Sequence, residues 1–99
     1  MNERPVPEEA SALVPAPEVV MTDLGDEAML LDPRCGAMYA LNDVGRCVWL
    51  ALGHHDTEQL VAAVCSAFEV DQARARTDVE ALLAELRAAG LVRHADRAR

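Results

Sequence analysis

The chain has 99 residues, of which 52% are apolar and only 3% aromatic, and its formal net charge is -8. This length allows one domain with one modest core. The excess of carboxylates repels phosphate, so the charge argues against a nucleic-acid partner and an anionic membrane surface, and the few aromatic residues exclude a base-stacking platform.

The first 17 residues are predicted to form a flexible arm, because Pro5, Pro7, Pro15 and Pro17 interrupt any helix there. The arm lacks the apolar run of a signal peptide, and the chain has no stretch of about 18 apolar residues that could span a membrane. Three cysteines fit free thiols in a reducing compartment better than a disulfide framework. We therefore expect a cytoplasmic protein without a membrane span.

Three short strands are predicted next, over residues 18–23, 27–32 and 37–41. Turn signals separate them: Gly25 in the first turn, and Pro33 with Gly36 in the second. The pattern indicates a three-stranded antiparallel meander.

The third predicted strand has an alternating pattern. Tyr39 and Leu41 share parity and are expected to face the core, while Met38 and Ala40 face the other side. We further expect Met38 and Ala40 to direct their backbone N–H and C=O groups outward, away from the neighbouring strand.

Three helices are predicted to follow, over residues 43–52, 57–68 and 71–89. Asn42 or Asp43 can cap the first helix, and Gly90 is expected to end the third, with Leu91 and Val92 folding back as its apolar contact. The fold class is therefore α+β, with a three-stranded antiparallel sheet followed by three helices. The predicted domain covers residues 18–92, and 93–99 form a C-terminal tail.

Catalytic and metal-binding motifs are weak. Cys35, Cys47 and Cys65 have no CxxC spacing, so a zinc site would need long-range convergence with His54, His55 or His94. The five glycines are scattered at turns and helix ends and form no phosphate-binding loop. We therefore expect no enzyme activity, no catalytic residues, no metal and no cofactor. An enzyme subunit with a cysteine or zinc role is a weaker hypothesis.

Two features could carry a binding function. The third strand, or the first, must be a sheet edge, and an edge beside a groove can accept an added peptide strand. On the third helix, Asp78, Leu82 and Glu85 form one stripe beside the core stripe. In the absence of a partner, these are a protected edge and a solvated helix face with an Arg74–Asp78 pair.

Read together, these residues resemble the PqqD-like family, named for the D protein of pyrroloquinoline quinone biosynthesis. The similarity covers about residues 18–92. Its most specific part is an ordered series with fixed spacing, continued by Asp78-Val79 and Gly90-Leu91. The series runs Gly36-x-x-Tyr39-x-Leu41-Asn42-x-x-Gly45-x-x-x-Trp49.

The resemblance implies a winged-helix-like domain that recognises precursors of ribosomally made, post-translationally modified peptides. Such a domain binds the leader of a precursor peptide as a strand added to its third strand, against its third helix, and presents it to tailoring enzymes. The peptide-binding residues that it implies are Ala37, Met38, Tyr39, Ala40, Leu41, Asp78, Leu82 and Glu85.

The partners implied are a precursor leader peptide and a tailoring enzyme. That enzyme is either the leader peptidase or cyclase of a lasso-peptide pathway or a radical S-adenosylmethionine enzyme, and the domain itself is expected to be a monomer or weak homodimer. The alternative is a small winged-helix transcriptional regulator, which the charge of -8 disfavours.

Overall fold

The computed structural model describes residues 13–53 and 56–94. Within them the elements are, in chain order, β1 (Leu13–Pro15), β2 (Val20–Asp23), β3 (Ala28–Asp32), β4 (Ala37–Leu41), α1 (Asp43–Ala51), α2 (Thr57–Phe68), α3 (Gln72–Ala88) and β5 (Val92–His94). Every predicted strand and helix is present to within two residues at each end. The predicted fold class, a three-stranded antiparallel sheet followed by three helices, is confirmed.

The sheet has the order β2-β3-β4, and short turns join its strands. At the first turn, the N–H of Leu24 donates to the C=O of Glu27 at 2.8 Å, and Gly25 has a φ of 101° that few other residues adopt. At the second, the N–H of Gly36 donates to the C=O of Asp32 at 2.7 Å. Both turns therefore lie where the sequence predicts them.

Side-chain oxygens cap the start of each helix. Asn42 caps α1 and Asp71 caps α3. Asp56 forms a capping box with Gln59, each side chain accepting from the other residue's backbone N–H. After α3, Gly90 adopts a φ of 76°. The chain then turns back and buries the two residues that follow.

β1 and β5 form a separate two-stranded antiparallel ladder, in which Leu13 lies opposite His94 and Pro15 opposite Val92. β1 falls within the predicted arm, and β5 extends into the predicted tail. Leu13 and Ala16 are buried, so the folded part extends to at least residue 13, which corrects the arm boundary at 17. Residues 1–12 of the arm and 95–99 of the tail lie outside the described residues.

The core lies between the inner face of the sheet and the three helices. Leu30, at the centre of the sheet, has no exposed area, and Leu41 is 3% exposed. Tyr39 is half-buried against this core, while Met38 and Ala40 are exposed. The predicted facing of β4 is thus confirmed. None of the helices in the described ranges combines the length and apolar character needed to cross a membrane.

Arg34, in the turn between β3 and β4, ties that turn to the end of α3. Its guanidinium holds both carboxylate oxygens of Asp32 at 2.8 and 3.0 Å and donates to the C=O of Gly90 at 2.9 Å. The hydrogen bond from Arg34 lowers the pKa of the buried Asp32 carboxyl. This contact fixes the position of the β3–β4 hairpin relative to α3.

Candidate functional site

A groove of about 340 Å³ lies between β4 and α3. Its lining residues come from the end of the first turn, from β4, from the start of α1 and from the middle of α3. They are Glu27, Tyr39, Ala40, Leu41, Asn42, Gly45, Leu82 and Glu85. The groove therefore has apolar surface from both β4 and α3, and it has one carboxylate from α3 and one from the first turn.

The outer edge of β4 borders this groove, and among the described strands none pairs with it. The C=O of Asp32 points toward β4, because it accepts hydrogen bonds within the β3–β4 turn. Along an antiparallel ladder, one pair of opposed residues directs its backbone N–H and C=O groups toward each other, and the next pair directs them away. Because Asp32 lies opposite Ala37, the odd-numbered positions 37, 39 and 41 direct their backbone groups toward β3.

The first turn gives the same result independently. The C=O of Glu27 accepts a hydrogen bond from the N–H of Leu24 and therefore points toward β2. Ala28 and every second residue after it in β3 consequently direct their backbone groups toward β4. Met38 and Ala40 consequently direct their N–H and C=O groups away from the sheet, as expected from the sequence. These are the groups that an added strand would meet.

Tyr39 and Glu85 join the two walls of the groove. The phenol of Tyr39, on β4, donates a hydrogen bond to the carboxylate of Glu85, on α3. This bond, with partial burial and the charge of Glu85, raises the pKa of Tyr39 from 10.0 to about 12. Tyr39 is therefore protonated at neutral pH and serves as a donor.

The Asn42-x-x-Gly45 pair of the sequence series has a direct structural reason at the end of the groove. The Asn42 side chain accepts from the N–H of Gly45 at 2.8 Å and starts α1. A Cβ on Gly45 would lie 3.2 Å from Leu41 side-chain carbons. Glycine therefore lets the first turn of α1 approach the end of β4 closely.

The structure places five of the eight residues implied by the resemblance in the groove lining. These are Tyr39, Ala40, Leu41, Leu82 and Glu85. Ala37 and Met38 lie on the same strand outside the lining. Asp78 lies one turn before Leu82 and is also outside it; its carboxylate forms an ion pair with Arg74 at 3.4 Å.

Three lining residues were not singled out as candidate binding residues from the sequence: Glu27, Asn42 and Gly45. Asn42 and Gly45 belong to the quoted series, which was a usable signal for both. Glu27 carries none, because its place at the groove depends on the register that sets Ala28 opposite Leu41.

The charges on α3 do not resemble those of a DNA-reading helix. Arg76 is paired with Glu58 at 2.6 Å and lies 3.8 Å from Glu80, and Arg74 is paired with Asp78. Each of these two arginines has a carboxylate beside it, which weakens the positive potential that phosphate binding requires.

The cysteines lie apart from the groove. Cys35 is exposed in a turn, and Cys47 and Cys65 are half-buried on α1 and α2. Partial burial raises the pKa of the Cys47 thiol. His54 and His55, the loop histidines that could complete a zinc site, lie outside the described residues, and within 13–53 and 56–94 no group of three or more potential ligands could hold a metal ion.

Comparison with known proteins gives one family and two solved structures. The family of coenzyme PQQ synthesis protein D (PqqD) matches residues 27–92. The complex of TbiB1 with the TbiA(beta) leader peptide is 28% identical with a TM-score of 0.74, and lasso peptide synthetase B1 complexed with the leader peptide is 25% identical with a TM-score of 0.75. Each comparison covers 84% of this chain and 99% of the other.

No curated protein matches the chain. Neither the family nor the two similar structures are described as DNA-binding regulators, so the regulator alternative gains no support.

Proposed function

Because the chain belongs to the PqqD family, we propose that it binds the leader segment of a ribosomally made precursor peptide and presents it to tailoring enzymes. The leader adds as a strand to the outer edge of β4 and lies in the groove against α3. The observation that carries this proposal is that the backbone groups of Met38 and Ala40 point outward beside a groove, where none of the described strands pairs with them.

The free energy of the complex requires both the edge and the groove. A micromolar complex needs about 8 kcal/mol, and each backbone hydrogen bond contributes about 0.5–1.5 kcal/mol net. The N–H and C=O groups of Met38 and Ala40 therefore supply less than that total. An apolar side chain of the leader that reaches Leu41 and Leu82 supplies most of the rest.

The carboxylates select the leader's polar side chains. Glu27 and Glu85 line the same groove as Leu82, and Tyr39 already donates to Glu85. A leader residue with a cationic or hydrogen-bond-donating side chain fits beside the apolar anchor. Asp78 contributes through its charge at longer range.

We infer that the chain acts in a lasso-peptide pathway, because one of the two similar structures is a lasso peptide synthetase B1 and both are complexes with a leader peptide. Its partners are then the precursor and the enzymes that cleave or cyclise it. The domain itself acts by binding, as a monomer or weak homodimer, and performs no catalysis.

The test is a titration of the labelled leader peptide encoded beside this chain, followed by fluorescence anisotropy. We expect a dissociation constant in the micromolar range or below. A leader methylated on the backbone nitrogens that pair with β4 should bind at least tenfold more weakly, since each methyl group removes a donor and blocks strand approach. Equal binding of the two peptides would refute strand addition.

A further inference from the structure

Two hydrogen-bonded links join the β3–β4 hairpin to α3 and its C-terminal end. In the first, here called the groove link, the phenol of Tyr39 donates to the carboxylate of Glu85, and both residues line the groove. In the second, the turn link, the guanidinium of Arg34 donates to the C=O of Gly90 at 2.9 Å. The hairpin is thus attached at its strand and again at its turn.

The two links are separated by similar distances on the strand and on the helix. On the hairpin, the turn link starts at Asp32, which lies opposite Ala37, and Tyr39 is two residues further along β4. Two residues of a strand span about 7 Å. Along α3, five residues separate Glu85 from Gly90, a rise of about 7–8 Å. β4 and α3 therefore run side by side, and their separation is fixed at two points.

Arg34 has a defined position because it satisfies a buried carboxylate. Asp32 is 5% exposed, and it accepts from two guanidinium nitrogens of Arg34 at 2.8 and 3.0 Å and from the Arg34 backbone N–H at 3.1 Å. A carboxylate removed from water needs such hydrogen bonds, so the Arg34 side chain cannot swing away without leaving a buried charge unpaired. Glu18 lies 3.5 Å from a third guanidinium nitrogen. The donation to Gly90 is consequently held in one geometry.

We propose that Arg34 is a positioning residue for leader binding, and that the turn link sets the distance between β4 and α3 and thereby the width of the groove. This inference rests on the proposed function, in which that groove receives the leader. Arg34 is not among the residues that line the groove, so it acts through the position of the hairpin. Without the turn link, only the groove link of the two remains, and the hairpin can rotate about it.

The turn link lowers the cost of binding because the leader contacts both walls of the groove. It pairs with the outer edge of β4 and packs against Leu82 of α3, so both must be in place at once. In the parent this arrangement exists before the leader arrives. In a protein without the turn link, binding must also order the hairpin against α3, which lowers the affinity although every leader contact is retained.

The test uses the full chain and the leader peptide encoded beside it. The double variant Asp32→Asn/Arg34→Ala removes the turn link together with the buried charge that would lose its partner, and asparagine suits the first position of the turn. We expect leader affinity to fall about fivefold to tenfold in calorimetric titration. Without leader, the ultraviolet midpoint of Tyr39 should fall from about 12 by about one pH unit, because a wider groove weakens its hydrogen bond to Glu85.

Arg76→Ala is the matched control. Arg76, on α3, also holds a carboxylate with two guanidinium nitrogens, since it donates to Glu58 of α2 at 2.7 and 2.6 Å, and neither residue lines the groove. This variant should keep leader affinity within about twofold of the parent and leave the Tyr39 midpoint in place. Equal losses of affinity in this variant and the double variant would overturn the specific role of Arg34.

Arg34→Lys serves as a second variant if the double variant does not melt cooperatively. Lysine keeps a positive charge beside Asp32, but it lacks the planar fork that holds both carboxylate oxygens and the C=O of Gly90 together. Both readouts should change in the same direction as in the double variant, by a smaller amount.

Two results in a folded variant would overturn this inference alone while the parent binds leader. One is unchanged leader affinity. The other is weaker affinity with an unmoved Tyr39 midpoint, which would mean that Arg34 acts by direct contact with the leader and not through the width of the groove. If the parent itself binds no leader, the proposed function fails and the positioning role fails with it.

Discussion

The two edges of the sheet, β2 and β4, are built differently. At β2, the N–H of Val19 donates to the C=O of Ala16, and the carboxylate of Asp23 is held by Arg46 at 2.8 Å. Contacts within the domain thus lie at both ends of that edge, while Met21 between them also directs its backbone groups outward. At β4, no strand within residues 13–53 and 56–94 pairs with the outward groups of Met38 and Ala40, and the groove against α3 lies beside them.

An accessible sheet edge alone therefore does not define a peptide site. Exposed edges are usually blocked by charges or covered by neighbouring chain, and β2 has such contacts only at its two ends. β4 combines unpaired backbone groups with apolar surface from α3, which a docking strand needs for affinity.

Proline on the two edges should have the largest effect. Ala40→Pro removes an outward N–H of β4 and is expected to weaken leader binding at least tenfold, because it leaves a leader carbonyl unpaired. Met21→Pro, the matched change at an outward position of β2, should leave leader affinity within about twofold of the parent. Thermal melts establish that both variants fold. Equal loss of binding in the two would mean that the edges are equivalent.

Leu82→Ala should have the next largest effect, because it removes apolar surface from the α3 side of the groove. Leader affinity should fall about tenfold or more, as expected when the apolar contact of one leucine side chain with the leader is lost. Leu82 is half-buried against the core, so we also expect a loss of about 1–2 kcal/mol in the free energy of unfolding. Calorimetric titration well below the melting temperature separates the two effects; unchanged affinity would place the leader elsewhere.

Glu85→Gln tests the link between the walls of the groove. Tyr39 is the chain's single tyrosine, so ultraviolet titration of the phenolate reports on it alone. In the parent the pKa of about 12 lies above the usual 10.0, so the Tyr39–Glu85 bond stabilises the fold at neutral pH and loses its effect as pH rises through about 10 to 12. In Glu85→Gln the midpoint should fall toward 10.0. An unmoved midpoint would show that Glu85 is not its cause.

Asp78→Ala should have the smallest effect. Asp78 lies outside the groove lining and is paired with Arg74, and an exposed pair contributes about 0–1 kcal/mol. Leader affinity should therefore fall less than about fivefold, as measured by the same titration at low and high salt. A larger loss than that of Leu82→Ala would restore Asp78 as a direct contact.

The sequence predicts the central sheet and helices well because their signals are local. Gly25, Gly36 and the capping residues determine turns and helix starts within a few positions, and alternation along β4 identifies which side chains are buried. β1 and β5 carry no such signal. Each of these strands has only three residues, and β1 includes Pro15. They form by pairing with each other, although almost the whole domain separates them along the chain.

The candidate site, like the fold, was predictable from the sequence only where the signal is local. Helical spacing places Asp78, Leu82 and Glu85 on one side of α3, and Leu82 and Glu85 do line the groove. Spacing does not say how far along α3 the groove extends, nor that Arg74 engages Asp78. The contribution of Glu27 required the strand register, which no local pattern determines.

The β1–β5 ladder has a consequence for linking this domain to other proteins. Because Leu13 and His94 face each other in the ladder, segments attached before and after the domain leave it from the same corner. A tailoring enzyme fused at either end would be tethered at nearly the same point, with a similar effective concentration at the groove. A circular permutant that joins the two strands by a short loop and opens the chain elsewhere should keep the groove intact.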